Sequence, residues 1–462
     1  MTCPPPCLRT SVRFSELDGA RIGVWGAGRE ISSFADQLAR RLPSAQITVA
    51  AFDAPPAEDV RETLAAPAAR IVTGPEALAA LRECEVVVRS PGVSIYRPEL
   101  RALHEAGVSV TTATALWLAE RGGESVIGVT GTKGKSTTAA LAFHLARAAG
   151  RTALLAGNIG VPALDLLDAD RVDVTVLELS SYQIADLATG PEVALVTNLF
   201  REHTDWHGSE EAYRADKLRL LALPGVRVRV VNGRDERLTT AAEAGSDPRT
   251  FGTEEGWDAS AETITLRGEA VLEREQLALY GEHNALNLCA ALTALEALGI
   301  SAPALPEALA GFRPLSHRLE RVAEHDGVLW VDDSISTTPE SALAALASFP
   351  EQDVVLIGGG QDRGQDYGEL SRVLAGRGAS VIGVPSTGPR LLAAAREAGV
   401  PDARAREATD LADAVELARE LARAGGVVLL SPAAPSYDHY RDFEERGDRF
   451  RALARAGVRL SG

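Results

Sequence analysis

The sequence predicts an α/β protein of three modules. Three observations predict it: short apolar runs rich in valine and isoleucine recur along the chain, stretches with helical spacing separate them, and the series restarts near residues 113 and 313. At 462 residues and 45% apolar composition, the chain is long enough for about three domains of ordinary size.

In the first third, RIGVWG leads into a helical pattern from about Arg29, followed by ITVAAFD and EVVVRSPGV. The second series starts at SVIGVTG and continues through VDVTVLELS, VALVTNL and VRVRVVN. It includes a helix-like stretch from Tyr213 to Leu223 and closes on a long helix from Asn284 to Leu298. The third opens on a hairpin-like pair, HRLERVAEH and GVLWVDD, and runs through DVVLIGG, SVIGVP and GVVLLSP. Expected domains are therefore 1–113, 114–313 and 314–462.

The net charge of −17 argues against wrapping nucleic acid or docking on an anionic membrane, because both need a basic surface. The sequence contains no run of about 18 uncharged apolar residues and no basic-then-apolar amino terminus, so a cytoplasmic protein is expected. Cys3 and Cys7 in CPPPC lack the second ligand pair of a zinc site, and a proline-rich disordered tail is expected there. Of 47 basic residues only three are lysine: Lys133, Lys135 and Lys217. Where arginine serves almost everywhere else, the surviving lysines mark places that need a compact point charge or a reactive primary amine.

Two of them fall in SVIGVTGTKGKSTTAA, a strand, a glycine-rich turn and a helix starting near Lys135. Backbone N–H groups at such a helix start attract phosphate, and glycines let the anion approach closely. Lys135 supplies a mobile cation and Ser136 a hydroxyl for Mg²⁺. The glycines are Gly128, Gly131 and Gly134, because Val129 stands where the usual phosphate loop has its first glycine. In GVWGAGREI, Gly26 and Gly28 begin a dinucleotide fingerprint, but Ile31 occupies the third glycine position, so NAD is not expected and another diphosphate is. Asp53, ending the next strand, is placed to reach a sugar hydroxyl or a base.

Further acids and imidazoles follow later strand ends. LELSSYQ places Glu178 at a carboxyl end, and NLFREHTDWHG offers Glu202, His203, Asp205 and His207. Ser136, Glu178 and His203 form a set suited to a hard cation beside a triphosphate. Lys217 lies on a helix face in YRADKLRLL.

TGTKGKST resembles the loop of the Mur ligases, a family that joins carboxylates to amino acids at the expense of ATP. The resemblance extends along the chain through SPGVS, GNIG, ELSS, GEHNALN, SHR, DDS and LSPAAPSYDHYRDFEERG. It implies a three-domain architecture: a Rossmann-like UDP-binding domain, a central P-loop ATPase domain and a C-terminal Rossmann-like domain. By the same resemblance, residues Gly131, Thr132, Lys133, Gly134, Lys135, Ser136 and Thr137 cradle ATP, and Asn284, Asn287, Arg318 and Asp333 hold adenine, ribose and phosphates. Gly28, Asp53, Ser90 and Gly92 meet the uridine diphosphate, Asn158 the sugar-peptide portion, and Ser436 and Phe443 the incoming amino acid. Lys217 matches a lysine that is carbamylated and helps hold a second Mg²⁺. Catalysis is then assigned to Lys135, Glu178, His203 and Lys217.

The implied reaction adds glutamate to UDP-N-acetylmuramoyl-L-alanine through an acyl phosphate, in a monomer whose domains close together to exclude water. Family members using D-glutamate carry D-S-K-A-T where this chain has Asp333-Ser334-Ile335-Ser336-Thr337, and a lysine where it has Arg363. Arg363 keeps a cation for the side-chain carboxylate, and Thr337 faces the amino acid, but Ile335 removes a charge. The resemblance therefore favours the branch that adds L-glutamate, whose product a separate epimerase later inverts. The alternatives are D-glutamate with a repacked pocket, an ATP-binding switch, or an oxidoreductase.

Overall fold

Residues 11–53, 70–200, 204–245, 247–277, 279, 281–313 and 316–456 are described by the computed structural model. The CPPPC segment lies outside them. The chain divides into two units, Met1–Gln276 with His283–Phe312 and Leu277–Glu282 with Arg313–Gly462.

The first unit holds two parallel sheets. One contains β1 (Ile22–Trp25), β2 (Ile47–Phe52), β3 (Ile71–Thr73), β4 (Val86–Arg89) and β5 (Ser109–Thr111), ordered β3-β2-β1-β4-β5. The other contains β6 (Val126–Thr130), β7 (Ala153–Gly157), β8 (Val174–Glu178), β9 (Val193–Val196), β10 (Val228–Asn232) and β11 (Pro248–Phe251), ordered β11-β10-β9-β6-β8-β7. β1, β4, β6, β8 and β9 are buried along their whole length, as strands covered by helices on both faces must be. That is why they read as continuous apolar runs rather than alternating ones.

Each order reverses direction at one strand, β1 in the first sheet and β6 in the second. Connections leave such a strand toward opposite faces, which opens a crevice at its carboxyl end where ligands bind. The two glycine-rich turns singled out in the sequence sit at these crevices. Helix α1 (Arg29–Arg41) follows β1, α2 (Ala113–Arg121) links the sheets, and α3 (Lys135–Ala148) follows β6. One apolar cluster runs from Phe34 and Val88 through Trp117 to Leu177 and Leu199, so both sheets share a core within this unit.

The chain between 213 and 223 departs from the expected helix. Helix α4 spans Glu210–Leu218, capped by the Ser209 hydroxyl, and a 3₁₀ turn takes over at Arg219–Ala222. A small antiparallel sheet of β12 (Trp257–Ala259), β13 (Thr263–Leu266) and β14 (Glu269–Glu273) leaves no clear signal in the sequence, because its strands are short and mix polar with apolar residues. The long helix, α5, covers Glu282–Ala297.

In the second unit, β15 (Glu320–His325) pairs antiparallel with β16 (Val328–Asp332), as the hairpin pattern anticipates. Its sheet continues through β17 (Val354–Gly358), β18 (Ser380–Gly383), β19 (Ala405–Glu407) and β20 (Val427–Leu430), ordered β15-β16-β20-β17-β18-β19. Among the described residues, no helix is long and apolar enough to cross a membrane.

Candidate active site

The turn after β6 is shaped by what surrounds its glycines. Gly131 has φ +146°, and a Cβ there would lie 1.9 Å from Thr197 Oγ1; at Gly134, φ is +80° and a Cβ would lie 2.3 Å from Asn287 Oδ1. Only glycine fits either place. The loop is then pinned from the end of β9: Thr197 Oγ1 and Asn198 Nδ2 donate to the Lys133 carbonyl at 2.7 and 2.9 Å, and the Lys133 N–H donates back to Asn198 Oδ1 at 2.8 Å. Thr132 Oγ1 meets Tyr213 OH at 2.9 Å, and Lys135 Nζ donates to the Thr132 carbonyl at 2.8 Å. Asn287 lies against the same turn, donating to Asn284 Oδ1 at 3.0 Å and accepting from Thr138 Oγ1 at 3.3 Å. Both asparagines thus stand beside the phosphate loop, and Thr137 lies in the first turn of α3.

Glu178 ends β8 with no solvent exposure. Its carboxylate accepts from Ser136 Oγ at 3.0 Å and from Asn158 Nδ2 at 3.4 Å. A buried carboxylate facing a hydroxyl is an all-oxygen set of the kind Mg²⁺ takes. Lys217, only 2% exposed, is no solvated helix lysine. Its Nζ donates to the Gly131 carbonyl at 2.7 Å and lies 5.0 Å from the centre of the Tyr213 ring. Glu202, His203 and the side chain of Asp205 fall outside the described residues.

A cleft of about 370 Å³ gathers many of these groups. Gly28 comes to it from the β1 turn, Ser90 and Gly92 from the loop after β4, Asn158 from the end of β7, and Lys135 and Lys217 from the phosphate-loop side. The Ser90–Gly92 loop is held by the buried guanidinium of Arg89, which donates to the carbonyls of Ser90 (3.0 Å), Pro91 (3.2 Å) and Val93 (2.5 Å). Trp206 Nε1 reinforces it with a bond of 3.1 Å to the Gly92 carbonyl.

Glu30 also lines the cleft. Burial pushes its carboxyl above the usual range, although Gln183 and Thr114 donate to it and partly offset that rise. Asp53 does not line this cleft: it pairs with Arg97 Nη1 at 2.6 Å on a largely exposed surface.

In the second unit, Asp333 follows β16 and is buried. Burial pushes its carboxyl up to about 7, against the pull of the Ser336 and Ser431 hydroxyls, the Leu319 N–H and the Arg318 charge. Beside it, His317 Nδ1 lies 2.7 Å from Asp332 Oδ2. Thr337 and Ile335 are half-buried in the loop after β16, and the Ile335 N–H donates to the His317 carbonyl at 3.3 Å. Ser436 is buried in the loop after β20, and Phe443 opens helix α6 (Phe443–Ala456). Arg363 is exposed, 5.9 Å from the centre of the Tyr437 ring.

Arg446 was not singled out in the sequence. Buried at 2% exposure, it donates to Ser334 Oγ at 3.0 Å and to the Ser334 carbonyl at 2.8 Å, and burial lowers its pKa to about 10. A guanidinium therefore supports the residue just before Ile335. The clue available was its place in YRDFEERG, within a motif already quoted.

Fold and cleft together define an α/β nucleotide-loop protein in which a Rossmann-like sheet and a phosphate-loop sheet share one ligand cleft. The family models for the Mur ligase middle domain and for the Mur ligase glutamate ligase domain match residues 129–295 and 317–434. A UDP-N-acetylmuramoyl-L-alanine--L-glutamate ligase of Micromonospora sp. is 46% identical over 96% of this chain and 98% of its own. Ligases of that same name from Salinispora tropica and Xanthomonas campestris are 43% and 42% identical, again over 96% of this chain and over 99% and 97% of theirs. Among solved structures, the MurF ligase from Thermotoga maritima in complex with ADP aligns with a TM-score of 0.59 at 17% identity, covering 96% of both chains. The chain belongs to the Mur ligase family.

Proposed function

We propose that this chain is an ATP-dependent ligase that joins L-glutamate to UDP-N-acetylmuramoyl-L-alanine during peptidoglycan precursor synthesis. The observation that carries this reading is the shared cleft. Lys135, Lys217 and Asn158 reach it from the phosphate-loop sheet, while Gly28, Ser90 and Gly92 reach it from the turns of the first sheet. ATP would bind on one side, with its phosphates along Gly131 to Thr137 and its nucleoside toward Asn284 and Asn287. The nucleotide-sugar acceptor would bind on the other side.

A carboxylate and an amine do not condense in water. The alanyl carboxylate first attacks the γ-phosphorus of ATP, releasing ADP and leaving an acyl phosphate. The glutamate amine then attacks the acyl carbon, and the tetrahedral intermediate expels phosphate as the nitrogen loses a proton. Lys135 counters the negative charge that builds up when two anions meet, and the loop N–H groups orient the transferred phosphate. Ser136, Glu178, His203 and a carbamate on Lys217 would hold Mg²⁺, which when bound offsets the same repulsion. Thr337, Arg363, Ser436 and Phe443 would take the glutamate.

In this division of labour, residues 1–113 bind the UDP-sugar, 114–313 bind ATP and 314–462 bind the amino acid. The enzyme would act as a cytoplasmic monomer with no nucleic-acid or membrane partner, and a separate epimerase would invert its product. The L-enantiomer is favoured by the relatives' names and by Ile335, which stands where D-glutamate users carry lysine. Phosphate release by the purified protein tests the reading: it should require ATP, the acceptor nucleotide and L-glutamate together. Turnover with D-glutamate alone would reverse the enantiomer assignment, and release from ATP alone would point to a switch protein.

A further inference from the structure

His207 belongs to none of the sets above, yet it sits at the centre of a buried chain of hydrogen bonds. Only 2% exposed, it ends the short helical turn Thr204–His207 and is enclosed by the rings of Tyr182, Trp206 and Tyr213. Its Nδ1 lies 2.8 Å from Asp216 Oδ2, the same oxygen that accepts from Tyr96 OH at 2.8 Å. Its Nε2 lies 2.9 Å from Ser181 Oγ. Ser181 forms part of the cleft wall, beside Asn158 and Tyr182, and Asp216 immediately precedes Lys217.

The donors and acceptors in this chain can be counted. A carboxylate oxygen only accepts, so both Tyr96 and His207 Nδ1 donate to Asp216. A neutral imidazole with its proton on Nδ1 has only a lone pair on Nε2, so the Ser181 hydroxyl donates to it. A hydroxyl has a single proton. In that protonation state the hydroxyl proton is spent inside the protein, and Ser181 has only lone pairs to offer the cleft.

We propose that His207 is a positioning residue that holds Ser181 as a hydrogen-bond acceptor in the cleft wall, where it receives an N–H or O–H of the nucleotide-linked acceptor. This rests on the ligase reading and adds to it a group that discriminates within the acceptor site. The connectivity matches that of hydrolase triads, in which the serine attacks. Here Ser181 is itself 2% exposed and the ligation needs no covalent enzyme step, so the chain orients the hydroxyl rather than activating it.

Three measurements on the full-length protein test the proposal. Ser181→Ala should raise KM for the acceptor nucleotide by about tenfold, the loss of one hydrogen bond, while KM for ATP moves by less than about twofold. His207→Asn retains an amide donor for Asp216 and removes the group facing Ser181. It should raise the same KM by the same factor, and the double variant should be no worse than either single one. In the parent protein, the ¹⁵N spectrum of the His207 ring should show a neutral imidazole protonated on Nδ1.

An imidazolium, multiplicative effects of the two substitutions, or a loss confined to kcat or Tm would overturn the proposal. So would labelling of Ser181 by a fluorophosphonate. If His207→Asn does not fold, Ser181→Ala and the ring spectrum decide. If the parent protein releases no phosphate with its three substrates, the ligase reading fails, and the spectrum still judges the hydrogen-bond chain separately.

Discussion

Lys217 shows how much a single residue can reveal. Its rarity in the sequence suggests a position arginine cannot fill, and its burial against the Gly131 carbonyl leaves little room for a guanidinium. Lys217→Arg should lower kcat by roughly 10–100-fold, the range seen when metal-supporting groups are removed, with the fold intact by circular dichroism. Activity near the parent level would exclude the carbamate. Ile335 is the matching test of specificity. Ile335→Lys places a second cation beside the Arg446 guanidinium that supports Ser334, and kcat/KM for L-glutamate should fall by about tenfold or more. An unchanged preference between the enantiomers would remove Ile335 from the specificity argument.

Asp333 gives a pH signature. Its folded carboxyl titrates at about 7, far above an unfolded aspartate. The folded state therefore binds the extra proton, and the stability it contributes is complete below the unfolded value and lost as pH rises through about 7. Urea midpoints should fall between about pH 4 and about pH 7, and Asp333→Asn should flatten that part of the decline. An identical slope in the variant would show that Asp333 is not the group responsible.

Among the elements, strands proved the most legible. A fully buried parallel strand needs apolar residues on both faces, which writes it into the sequence as an unbroken run. Short, half-polar strands such as β12 to β14 leave no such trace. The helix expected over Tyr213–Leu223 begins earlier, at Glu210, and ends at Leu218, where the chain tightens to 3₁₀ although apolar spacing continues without a break. The phosphate-loop turn was recognised from its glycines, but their necessity comes from neighbours distant in sequence. A methyl at Gly134 would strike Asn287, more than a hundred residues away, and would also require φ near +80°. Gly134→Ala should therefore destabilise the fold by about 1–3 kcal/mol and weaken ATP binding, measured by thermal melting and by titration calorimetry. A variant that binds ATP like the parent would show that the turn can yield.

For the molecule as a whole, binding and stability are linked. ATP present at about 100 times its Kd should add about 2.7 kcal/mol to the stability of the phosphate-loop unit. A melting temperature that ignores ATP would argue against nucleotide binding at this loop. The strongly acidic surface accords with partners that are small anions captured by a few placed cations, rather than by bulk charge.

By itself the sequence determined the α/β class, the order of the buried parallel strands and of the helices that follow them, and the residue types gathered at the strand ends. Those features depend on local periodicity and on turn chemistry, which neighbours along the chain specify. Only the tertiary structure decided that the turn after β1, the loop after β4 and the phosphate loop open onto one cleft, because strand order and shared core packing bring together residues more than a hundred positions apart. It paired Asp53 with Arg97, and it turned His207 from a loop imidazole into a buried link between Asp216 and Ser181. Hydrogen-bond partners are set by distance in space, and a linear pattern carries no record of that distance.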